Sequence, residues 1–144
     1  MKSHSSRMVI LDTSFILSML RNHREFDDGI RDSAGGPIRI VTSDGVFMEL
    51  QRLARSGDFN VAGLAKVALL SLERRGITIQ ETHPSTPNVD TSILVLSLED
   101  RGRVEVATAD SRLRHALFKL GVTAICPRKH GGVEIFPGAR VPLK

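Results

Sequence analysis

The sequence predicts a three-layer α/β/α domain built on a parallel sheet. Short apolar runs of strand length alternate with amphipathic segments of helical period, the pattern of strand–helix–strand units. The first of the runs, Met8 to Leu11, is continuously apolar rather than alternating. The 144 residues suit one domain with its own core, and no repeat, low-complexity tract or linker divides them. The domain is expected over 8–137, with short tails at 1–7 and 138–144.

The elements follow in order. Met8 to Leu11 is the first strand. Asp12-Thr13-Ser14 supplies capping chemistry for a helix that places Phe15, Ile16, Leu17, Met19 and Leu20 at helical spacing. Glu25 to Pro37 is polar and holds three glycines, so it is expected to be mostly loop. Ile38 to Val41 is a second strand, and Thr42-Ser43-Asp44 caps a helix whose apolar face is Val46, Phe47, Leu50 and Leu53. Ser56-Gly57-Asp58 turns the chain into a third helix, Val61 to Arg75, which stops at Gly76. Ile77 to Ile79 is a short strand. A loop from Thr82 to Pro87 leads into a helix with Pro87 near its first position, running through Ile93, Leu94 and Leu96 toward Arg101. Val104 to Ala107 is a strand, followed by a helix opened by Asp110-Ser111 with Leu113, Leu117 and Leu120 inward and Gly121 just past its end. Val122 to Ile125 is a further strand. Val133 to Phe136, after Gly131-Gly132, has the makings of a last short one.

Composition narrows the function classes. Hydrophobic residues make up 41% and charged ones 25%, an ordinary globular balance. The single cysteine, Cys126, excludes an intramolecular disulfide and a cysteine-built zinc site. The five histidines show no metal-ligand spacing. No apolar stretch is long enough for a secretory core or a membrane span, so a cytoplasmic protein with no membrane partner is expected. The net charge is +4, and 15 of the 20 basic residues are arginine, the side chain that grips phosphate in two places at once. That balance is compatible with nucleic acid and equally with a solvated basic surface. With six Phe and no Trp or Tyr, contacts to phosphate and sugar are expected to outweigh base stacking.

Four carboxylates stand where a core has no use for them. Asp12 ends the first strand, Glu49 borders the apolar face of the second helix, Asp90 falls in the first turn of a later helix, and Asp110 follows the strand Val104 to Ala107. Each has a plain structural explanation. Asp12 and Asp110 can cap the helices after them, Asp90 can serve a helix dipole, and Glu49 can be a surface acid beside Arg52. Taken together they point elsewhere. In an open parallel sheet, ligands bind beyond the carboxyl ends of the strands where the strand order reverses. If the strands ending at Asp12 and Asp110 are neighbours across that point, the four acids face one crevice. Such a cluster is unfavourable unless protons or cations enter it, and Mg²⁺ or Mn²⁺ are the natural partners of an all-oxygen site. A metal there could clamp a phosphodiester and activate water. Asp44 is best read as a cap and only a remote candidate. Thr13, Thr108 and Ser111 are candidate hydroxyl partners. Arg112, Arg114, Arg128 and Lys129, near the Asp110 end, could guide a phosphate backbone or simply be solvated.

The motifs carrying these acids resemble those of PIN-domain nucleases. Val9 to Leu17 is similar to the opening motif, Gly45 to Leu53 to the second, Asp90 to Leu94 to the third, and Val106 to Arg114 to the fourth, continued at Leu120 to Ile125. The match runs from about Arg7 to Phe136. The helix ending Leu72-Glu73-Arg74-Arg75-Gly76 and the pair Arg128-Lys129 look most like small archaeal Fcf-type rRNA-processing proteins, while Leu11-Asp12-Thr13-Ser14 is equally at home in VapC toxins. The resemblance implies a five-stranded parallel sheet of order 3-2-1-4-5 and Mg²⁺- or Mn²⁺-dependent cleavage of RNA. It puts metal-binding and catalytic roles on Asp12, Glu49, Asp90 and Asp110. It implies pre-rRNA or a ribosome precursor as partner, allows a homodimer, and adds an antitoxin if the chain is VapC-like. Two positions depart from the pattern: Ala109 replaces a common Asn, and Thr91 a common second acid. They favour, as an alternative, a catalytically weak RNA-binding or ribosome-assembly scaffold. An aspartate after a strand also resembles haloacid-dehalogenase phosphatases, but these want a second aspartate where Ser14 stands.

Overall fold

The computed structural model describes residues 7–56, 58–82, 88–99 and 103–139. Its strands are β1 (Arg7–Leu11), β2 (Ile38–Ser43), β3 (Thr78–Gln80), β4 (Val104–Ala107), β5 (Thr123–Pro127) and β6 (Val133–Phe136). The helices are α1 (Thr13–Arg21), α2 (Asp28–Ala34), α3 (Asp44–Ser56), α4 (Phe59–Arg74), α5 (Val89–Leu98) and α6 (Ser111–Lys119). One sheet has the order β3-β2-β1-β4-β5-β6, with helices on both sides. The first five strands are parallel, and β6 adds to the edge of β5 antiparallel. The predicted α/β architecture and the order 3-2-1-4-5 are therefore present, with the short last strand extending the sheet to six.

Val9, Ile10 and Leu11 of the central β1 are fully buried, as a strand covered on both faces requires. Phe15, Ile16 and Met19 of α1, Val46 and Leu50 of α3, Ile93 and Leu96 of α5, and Leu113 and Leu117 of α6 close over the sheet.

One expected loop is a helix. Within the polar segment from Glu25 to Pro37, residues Asp28–Ala34 form α2. Its pattern offers only Ile30 to the core. The helix is held by contacts no local pattern carries. Fully buried Phe26 anchors its entry, and buried Asp27 accepts hydrogen bonds from Arg75 Nε at 2.5 Å and Arg31 Nε at 3.3 Å. The same Arg75 reaches Asp28 at 2.9 Å, so the end of α4 clamps the start of α2.

Boundaries also shift. α4 begins at Phe59 because Asp58 caps it, accepting the Val61 N–H at 3.0 Å, and Val61 and Leu64 are only half-buried. α5 is capped by Asn88, which accepts the Thr91 N–H at 2.8 Å. The expected roles of Gly57, Pro87 and Arg101 lie outside the described residues. Among the described residues, no helix is long and apolar enough to cross a membrane.

Candidate active site

Strand register places the first and last of the four acids. Leu11 pairs with Thr42 on one side and Ala107 on the other, so Asp12 and Thr108 emerge side by side from β1 and β4. The Asp12 N–H donates to Ala107 O at 2.9 Å, and the Thr108 N–H to Ile125 O at 2.8 Å. This is where the strand order reverses, the edge at which such sheets form a crevice.

Asp12 occupies the cap position of α1, yet its side chain makes no capping hydrogen bond. Its carboxylate, in a residue only 3% exposed, takes two hydroxyls instead. Ser14 Oγ donates to Oδ2 at 2.6 Å and Thr108 Oγ1 donates to the same oxygen at 2.7 Å. A hydroxyl has one proton to give and lone pairs to receive. Each of these receives a backbone N–H: Ala109 to Ser14 at 2.9 Å, and Asp110 to Thr108 at 3.0 Å. Asp12, Ser14, Thr108 and the β4–α6 loop are thereby one network. Thr108, one of the candidate hydroxyl partners, is a member of it. Ser14, read from sequence only as part of a cap, is an equal member. Thr13 is buried with its hydroxyl unpartnered among the described residues.

Asp110 is both a cap and a crevice-lining residue. Its Oδ1 caps α6 by accepting the Arg112 N–H at 2.8 Å and approaching the Leu113 N–H at 3.5 Å, while the residue lines the crevice.

Glu49 and Asp90 are brought in by a close approach of α3 to α5. A Cβ on buried Gly45 would lie 2.7 Å from Ser92 Oγ, so only glycine allows this contact without a shift. Ser43 Oγ lies 2.8 Å from Ser92 Oγ and accepts the Val46 N–H at 3.1 Å, making Ser43 the cap of α3. Glu49 is one turn beyond Gly45, half-buried, with Arg52 3.6 Å away. Asp90 is exposed in the first turn of α5. Asp44 is not part of the cluster's chemistry. Its carboxylate accepts the Gly45 N–H at 2.8 Å and, from Thr82, the N–H at 3.1 Å and the hydroxyl at 3.0 Å, tying the chain after β3 to α3.

Electrostatics show the four acids sharing one field. Burial pushes the Asp12 carboxyl up from its ordinary value; the Ser14 and Thr108 hydroxyls and the Thr13 backbone pull it down, Asp90 pushes it up, and the net shift is upward. Burial also raises Asp90, followed by the charges of Asp110 and Glu49. Asp90 thus feels Asp110 and Glu49, and Asp12 feels Asp90. They do not close on one point: among the described residues, no three His, Cys, Asp or Glu side chains are grouped to hold a metal ion. The donor set still fits a hard divalent cation in chemistry. All its members are oxygen ligands, two are held above their ordinary pKa, and Mg²⁺ commonly takes one or two carboxylates and keeps several waters.

Beside Asp110 opens a pocket of about 420 Å³. Ser18 and Asn22 of α1 line it with Ser111, Arg114, Arg128 and Lys129. Three of the four candidate RNA-contacting cations therefore face the same space as an acid of the cluster. Arg112 does not line it. Arg114 lies over the Phe136 ring, 4.5 Å from its centroid.

No family model matches the sequence, and no curated protein matches it. Among solved structures, the fold is similar to that of the PIN domain endonuclease Utp24, with a TM-score of 0.75 and 23% identity over 93% of this chain and 96% of that one. The chain has a PIN-like fold.

Proposed function

We propose that the protein is a metal-dependent endoribonuclease that hydrolyses RNA phosphodiester bonds. The observation carrying this reading is the group of acids Asp12, Glu49, Asp90 and Asp110 around the reversal point of the sheet, with Asp110 lining a basic pocket. The fold shared with a PIN domain endonuclease supports it. The resemblance of Leu72 to Gly76 and of Arg128-Lys129 to Fcf-type proteins makes rRNA processing the proposed setting.

Asp12 with one of Asp90 and Asp110 would hold the Mg²⁺ or Mn²⁺ among retained waters, and the remaining acids, Glu49 among them, would complete the negative field around it. When bound, such an ion supplies charge neutralisation at the phosphoryl oxygens and a water made acidic enough to attack. The chain's own residues do the rest. Ser14 and Thr108 spend their protons on Oδ2 of Asp12, which fixes the orientation of the carboxylate. The Ala109 and Asp110 N–H groups lock those hydroxyls in turn, so Asp110 and Asp12 are positioned by one set of bonds. The main-chain N–H of Ala109 makes this tie whatever its side chain, so the missing amide does not disassemble the network. Arg114, Arg128 and Lys129 orient the phosphate backbone along the pocket.

The test is cleavage of single-stranded RNA by purified protein. Activity is expected with Mn²⁺ or Mg²⁺, lost with EDTA and lost in Asp12→Asn. Binding without cleavage at millimolar metal would support the scaffold reading instead.

A further inference from the structure

Arg114 belongs to two pockets. It lines the cleft beside Asp110, and it also lines a neighbouring pocket of about 300 Å³ with His115, Phe118, Phe136 and Pro137. Phe118, in the last turn of α6, is 51% exposed. A single exposed aromatic needs no explanation. This one shares its pocket with a second aromatic, an imidazole and a guanidinium, and among the described residues no carboxylate lines the space.

That combination fits one kind of occupant better than others. A flat π face takes a base of any identity, while adjacent cationic and imidazole groups take its edges and phosphate. An apolar peptide or a second copy of the chain would leave Arg114 desolvated against hydrocarbon. The Arg114 guanidinium already lies over the Phe136 ring, 4.5 Å from its centroid, and makes a hydrogen bond to the Cys126 side chain. It is placed to hold a phosphate between the two pockets.

We propose that Phe118, with Phe136 and His115, forms a stacking subsite for one unpaired base of an RNA strand, continuous with the phosphate track of Arg114, Arg128 and Lys129. The nature of the strand rests on the nuclease reading; the subsite does not depend on cleavage.

The test uses Phe118→Trp, which makes the indole the sole tryptophan of the chain. It is titrated in EDTA with a 2′-O-methyl RNA of about ten nucleotides, and with an abasic strand carrying the same phosphates. Quenching by the base-bearing strand alone is the expected result. In parallel, Phe118→Ala should weaken binding of the base-bearing strand about tenfold and leave the abasic strand unchanged, with a thermal midpoint near the parent's. Strand binding without quenching, or an equal loss for both strands, overturns the subsite. So does emission that changes with protein concentration in the absence of RNA, which would mean a second copy. Mn²⁺-dependent cleavage that persists alongside any of these outcomes leaves the nuclease reading standing. Failure of the parent protein to bind the base-bearing strand ends the subsite, while failure to cleave unmodified single-stranded RNA with Mn²⁺ ends the nuclease reading separately.

Discussion

Replacing Asp12 by Asn removes a buried charge while keeping its shape and an oxygen that can still accept the Ser14 and Thr108 hydroxyls. The sign of the stability change follows from the upward shift of the Asp12 carboxyl. Its ordinary value is 3.8, and in the folded chain it lies higher. Between those two values the native state holds more protons than the unfolded chain, so stability falls as pH rises through that window and stays lower above it. Asn carries no such loss. At pH 7 and without metal, Asp12→Asn should therefore be more stable than the parent by about 1 kcal/mol, the scale typical of relieving a functional-site conflict. For a chain of this size that is roughly 3 °C in Tm. The gap should close as pH falls toward and below 3.8. Divalent metal at ten times its Kd should then raise the parent by about 1.4 kcal/mol and the variant far less. Thermal melts across pH, with and without Mn²⁺, read both effects. A variant less stable than the parent at pH 7, or a gap independent of pH, refutes the reasoning.

Other perturbations address the parts around Asp12. Replacing Arg128 and Lys129 together by alanine should raise KM with little change in kcat, and lower the slope of log affinity against log salt by about 2; titrations at several salt concentrations measure it. Gly45→Ala gains helix propensity but drives its methyl to 2.7 Å from Ser92 Oγ and 3.1 Å from Ser92 Cβ. It should cost about 1–2 kcal/mol in denaturant unfolding and reduce kcat, because Glu49 and Asp90 are carried by the two helices it separates. Arg75→Ala strips buried Asp27 of its nearer partner and should destabilise by about 2 kcal/mol. Cleavage per folded molecule should be unchanged, since Asp27 lies outside the acid cluster.

The parts of this fold that local chemistry writes were legible, and the parts that distant contacts write were not. β1 and α1 could be read because Val9 to Leu11 is a continuous apolar run and the residues after it keep a helical period. α2 could not, since its stability rests on Arg75, 48 residues from Asp27. Asp12 and Asp110 looked like caps, and for Asp110 that is half of the truth. For Asp12 the cap is absent, a fact visible only once β4 pairs with β1 and delivers Thr108 to its carboxylate. Ser14 was on view two residues after Asp12, and a strand-end Asp followed by a hydroxyl at that spacing is the signal that could have found it. Pairing of the cationic residues with a pocket was half legible: position along the chain selected Arg114, Arg128 and Lys129, but also Arg112, whose place on α6 turns it away from the lining.

The most direct measurement is the anomalous density of a crystal grown or soaked with Mn²⁺. An ion bound through Asp12 and at least one of Asp90 and Asp110 is expected, with Ser14 and Thr108 still on Oδ2. A crystal at millimolar Mn²⁺ showing no ion in that crevice, or an ion bound only elsewhere, would contradict it.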